Sequence, residues 1–186
     1  ICLSGLNIDS LQLWLMRKNL IIFVGIFLSL AASRFIPHPP NFTNLIALSF
    51  YIPALLGKKY IPAVIISYAI TDFIIGYHTG THWTWSSVLV IGLFSTYFTN
   101  KLNVRIFGAL FGAFIFFIIT NFGVWTSGMY GLTLKGLTEC YFLAIPFFGN
   151  TLLATFIFSI LIESIYFIYL KNLKSLKSKF FKTQHN

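Results

Sequence analysis

Apolar residues fall into six runs separated by short polar breaks. The runs cover residues 19–36, 42–57, 60–77, 84–98, 104–125 and 146–170. Within each run the apolar residues occupy every face of a helical wheel, as expected of a helix surrounded by lipid or by protein. A hydrocarbon layer about 30 Å thick takes about 20 residues of helix. The runs therefore predict an all-α fold with six membrane-spanning helices. The second run is short and carries Pro53. A further short helix is expected over residues 134–144, before the sixth span. The breaks are short and no internal repeat divides the chain. Residues 19–170 are thus expected to form a single membrane domain. An N-terminal segment, residues 1–18, and a basic tail, residues 171–186, are expected on the cytoplasmic side.

Charge fixes the expected orientation. Charged residues make up 9% of the chain, against about 25% in soluble domains. The net charge of +9 sits in clusters between the runs, so it reads as membrane topology and not as affinity for nucleic acid. With six spans, 11 of the 13 Lys and Arg residues fall on one side, and only Arg34 and Lys135 fall on the other. The positive-inside rule places the larger group, and both termini, in the cytoplasm. Residues 1–16 lack the basic beginning of a signal peptide. Cys2 and Cys140 form no metal-ligand or disulfide pattern, and no nucleotide-binding loop or catalytic motif is found. No enzyme activity and no cofactor are expected.

The expected outer side is where polar residues gather. The segment "SRFIPHPPNFTNL" interrupts the first two runs with Pro37, Pro39 and Pro40, which cannot continue a helix. Irregular backbone at membrane depth survives only where protein or a watery cavity satisfies it. Arg34, His38, Asn41 and Thr43 lie here. Asp72 and His78 lie at the outer end of the third run, Asn121 and Trp125 at that of the fifth, and Tyr141 and Asn150 around the start of the sixth. Asp72 is an expensive residue within a span and needs a partner or a polar cavity. Arg34 is its natural partner, either as a structural pair or with the two facing a ligand. His78 and His82 have metal-ligand spacing, but their glycine-rich surroundings read as a loop, so no metal site is expected. Gly25, Ser29 and Ser33, and again Gly108 and Gly112, are small residues at four-residue spacing. They suit close packing inside the bundle or a docking face for a second membrane protein.

Four stretches, "RFIPHPPNFTNLIAL", "SYAITDFIIGYH", "TNFGVW" and "LTLKGLTECYFLAIPFFGNTLLA", resemble a family of small bacterial membrane proteins of uncharacterised function. The likeness covers roughly residues 20–160. That family is in turn similar to the substrate-binding S components of energy-coupling factor transporters. The resemblance implies a six-helix bundle in the bacterial cell membrane that captures a vitamin-like small molecule from outside. It also implies partners: a membrane coupling subunit and two cytoplasmic ATPases. Carried over by motif, the expected ligand-binding residues are Arg34, His38, Asn41, Thr43, Asp72, His78, Asn121, Trp125, Tyr141 and Asn150. Ala154-Thr155 departs from the Gly-Asp of relatives, which removes an acid from the pattern. The alternative is a non-transporting membrane scaffold whose outer polar cluster is structural.

Overall fold

The computed structural model describes residues 8–77, 80–99 and 101–183. Seven α-helices follow one another: α1 (Ile8–Phe35), α2 (Leu45–Leu56), α3 (Ile61–Ile75), α4 (Thr81–Ser95), α5 (Leu102–Thr126), α6 (Leu134–Leu143) and α7 (Ile145–Thr183). No strand occurs among the described residues.

Three helices are long and apolar enough to cross a membrane, over Ser10–Phe35 of α1, Leu102–Thr126 of α5 and Ile145–Asn172 of α7. The other three runs form shorter helices. At 12, 15 and 15 residues, α2, α3 and α4 rise only about 18–23 Å. The causes lie in the sequence. The prolines after α1 hold the chain irregular, and α2 begins only at Leu45. Gly57 ends α2 at φ 100° and Gly76 ends α3 at φ 130°, backbone values that side chains disfavour. The fourth helix starts earlier than its apolar run, at Thr81. The Gly80 carbonyl accepts from the Trp83 and Thr84 amides, so His82 and Trp83 are helical where the sequence suggests a loop.

The central element is α2, whose residues Leu45 to Tyr51 are all buried. It packs against α3, α4, α5 and α7, while α1 leans on α3. Leu30, Ile46, Phe50, Tyr51, Val64 and Ile91 form the heart of the core. Close approach depends on two glycines of α5. A Cβ at Gly108 would strike Phe50, and one at Gly112 would press on Ile91. The small residues of α5 therefore serve packing inside the bundle. On α1, Ser29 and Ser33 bond to the Asn44 side chain (Nδ2 to Ser29 Oγ 2.9 Å, Ser33 Oγ to Oδ1 2.7 Å). At Gly25 a Cβ would meet nothing. Substituting Gly108 by leucine should prevent stable folding, whereas Gly25→Leu should melt within a few degrees of the parent; circular dichroism of the purified variants checks both.

The end of the bundle near Lys58 and Lys101 holds a second ion pair. Arg105 counts in the sequence among the eleven basic residues on the expected cytoplasmic side, with no partner expected for it. It is buried, and it donates through Nε and Nη2 to the two carboxylate oxygens of Glu163, each at 2.6 Å. Its Nη1 donates to the Thr99 carbonyl at 3.0 Å. The pair joins α5 to α7 across 58 positions of sequence.

Candidate functional site

The opposite end of the bundle holds a cavity of about 560 Å³ with a mixed polar and apolar lining, within the range of small-molecule sites. Alternating chain direction brings together the C-terminal ends of α1, α3 and α5 and the N-terminal ends of α4 and α7. Arg34, Tyr68, Thr84, Asn121 and Thr151 come from these five helices, and Asn41 joins them from the α1–α2 loop. A second cavity of about 250 Å³ adjoins it. The two share Arg34, Asn41, Tyr68, Phe116 and Thr151, and the smaller adds His38 and Thr43.

The loop that forms this rim owes its shape to local chemistry. The Phe42 amide donates to the Pro39 carbonyl at 3.0 Å, and Thr43 to the Asn41 carbonyl at 3.1 Å. Asn41 sits at φ 62°, which asparagine tolerates better than most residues. His38 is exposed, with Nδ1 2.7 Å from the Pro39 carbonyl. From α7, Asn150 Nδ2 donates to the Pro40 carbonyl at 3.0 Å and ties the loop down.

Arg34 stands between the cavity and the buried Asp72. Its Nη2 lies 2.6 Å from Asp72 Oδ1. Trp85 Nε1 donates to the other carboxylate oxygen at 2.7 Å. Arg34 Nη1 also donates to the Thr71 hydroxyl and to the Tyr68 carbonyl, and its guanidinium sits 4.4 Å from the Tyr68 ring centre. The two charges therefore neutralise each other. Of the two readings that the sequence left open, the geometry contains the pair, with Arg34 also forming cavity wall.

The expected site residues thus separate. Arg34, His38, Asn41, Thr43 and Asn121 line the two cavities. Asp72, Trp125, Tyr141 and Asn150 do not, and lie behind or beside the wall. Tyr141 donates from its hydroxyl to the Ile118 carbonyl at 2.7 Å and packs edge-on to Phe117. The Trp125 indole packs on Phe122, and its Nε1 is buried with no hydrogen-bond partner among the described residues. His78 falls outside the described residues. Sequence reasoning missed Tyr68, Thr84, Thr151 and the phenylalanines. Tyr68 stands one helical turn before Asp72 and could have been found by that spacing; a lone threonine or phenylalanine in an apolar run gives no such signal. Asn150→Ala should loosen the rim and cost about 1 kcal/mol, read by thermal unfolding.

No curated protein and no solved structure matches the chain. A model described as a family of unknown function (DUF6580) matches residues 15–176, and the chain belongs to that family.

Proposed function

We propose that the protein is the substrate-capturing part of a membrane uptake system, with the cavity open to the outside of a bacterial cell membrane. The observation that carries this reading is the 560 Å³ cavity itself. Its polar side chains come from five helices and the α1–α2 loop, alongside four phenylalanines, and it lies at the end of the bundle remote from Lys58, Lys59 and Lys101. A purely structural cluster has no need of such a space. In this reading α1 to α5 and α7 make six crossings, and the three short helices cross where neighbours and local thinning shield their ends. Both termini are cytoplasmic, in keeping with the positive-inside rule.

The chain has no nucleotide-binding loop, so active uptake calls on separate partners. A membrane coupling subunit with cytoplasmic ATPases, as in the transporters whose S components the sequence resembles, fills that role. The open flank of α1 around Gly25 suits such a subunit. Ser29 does not, because its hydroxyl is engaged by Asn44.

The scaffold reading retains one specific observation: Arg34 and Asp72 satisfy each other without a ligand. Two measurements decide. In cells, a membrane-impermeant maleimide should modify Gly80→Cys and miss Lys58→Cys; the reverse pattern would point the cavity inward. In nanodiscs, the small-molecule fraction of a cell extract should raise the melting temperature of the parent and leave Asn121→Leu unmoved. Equal shifts would favour the scaffold.

A further inference from the structure

The side of the cavity formed by α5 and α7 has a chemical bias, and with it a class of ligand. Three hydroxyls on its wall spend their only proton on nearby carbonyls of their own chain segment. Thr120 donates to the Phe116 carbonyl at 2.8 Å and Thr151 to that of Phe147 at 3.0 Å. Ser127 donates to that of Val124 at 2.6 Å. Each hydroxyl oxygen keeps acceptor capacity. Asn121 behaves alike: its Nδ2 donates to the Phe117 carbonyl at 2.8 Å. A carbonyl can accept only from the amide nitrogen, so that bond fixes the orientation of the group. Oδ1 is left as an acceptor with no partner among the described residues.

Charge is balanced on the same wall. Arg34 is the one charged side chain lining the larger cavity among the described residues, and Asp72 already compensates it. An anion entering this site would find no unpaired cation, and a charge left without a partner in low dielectric is costly. The remaining surface is flat and apolar. Phe116, Phe117, Phe147 and Phe148 line it, with the rings of Phe117 and Phe148 4.6 Å apart. Such walls accept an aromatic face.

We infer that the cavity binds an uncharged, ring-bearing molecule recognised through its N–H or O–H groups, and that it discriminates against carboxylates and phosphates. The inference rests on the capture reading above and adds the class of substrate to it.

Three probes of matched shape test it: naphthalene-2-carboxamide, its methyl ester counterpart methyl naphthalene-2-carboxylate, and the anion naphthalene-2-carboxylate. Binding to the nanodisc-embedded protein is read by saturation-transfer NMR, with empty nanodiscs subtracted. The carboxamide should bind at least about tenfold more tightly than the ester or the anion, the scale of one lost hydrogen bond. Asn121→Leu should remove that preference. Thr151→Val, which keeps the shape and deletes one acceptor, should weaken carboxamide binding if the first variant does not fold. Carboxylate binding as tight as that of the amide, and equally dependent on Asn121, would overturn the ligand class and leave the capture reading standing. Binding of none of the three, or binding that both variants leave untouched, would overturn the inference; a cell-derived molecule lost from Asn121→Leu would then still uphold capture, and its absence would remove both.

Discussion

Arg105→Met alone is expected to destabilise the protein by about 3–5 kcal/mol, the cost of removing one partner of a buried ion pair. Burial sets the size of this cost. Glu163 is 5% exposed and Arg105 7%, and the guanidinium meets the carboxylate with two parallel hydrogen bonds. Without Arg105 the carboxylate is left uncompensated between α5 and α7. It must then ionise in a poor solvent or take up a proton. The double variant Arg105→Met with Glu163→Leu removes both charges and should recover most of the loss, because apolar replacement of a whole buried pair is often neutral. Thermal or denaturant unfolding in one detergent checks both. The cavity lies at the other end of the bundle, so the double variant should also retain its ligand. A single variant as stable as the parent would mean that water reaches the pair and that the end of the bundle near Lys58 and Lys101 is looser than the packing indicates.

The second large effect concerns Arg34 and Asp72. Arg34→Met strands a carboxylate that is 3% exposed, with only the Trp85 indole and its surroundings to satisfy it. A loss of about 3 kcal/mol is expected, less than for Arg105 because the Arg34 side chain is itself 14% exposed. Adding Asp72→Leu should restore much of the stability. Ligand binding should not return with it, since Arg34 is wall to both cavities and its loss reshapes them. Measuring melting temperature and ligand binding on the same samples separates the two roles. A double variant that binds like the parent would remove Arg34 from the site.

How far the sequence carried these conclusions can be traced residue by residue. Long apolar runs announce helices because no other element satisfies its own backbone within one segment. The three longest helices and the short α6 were legible for that reason. The prolines of the first break were legible too, since their effect on a helix is local. The bond between Arg105 and Glu163 was not. Nothing local joins two residues 58 positions apart, and a basic residue beside a predicted loop reads as topology. His82 and Trp83 read as loop because the glycines at 76 and 80 suggest that the loop continues. The cavity was half legible. Arg34, Asn41 and Asn121 stand out as polar residues in greasy text. Thr151 and the four phenylalanines do not, because their types suit a lipid-facing helix equally well. Only the geometry of the helix ends distinguishes them.

Native mass spectrometry of the gently purified protein tests the central claim most directly. Capture of a small molecule predicts a co-purifying, uncharged ligand that dissociates on activation and is absent from Asn121→Leu prepared in the same way. Parent protein that carries no small molecule, or an adduct that Asn121→Leu retains at equal occupancy, would contradict the account.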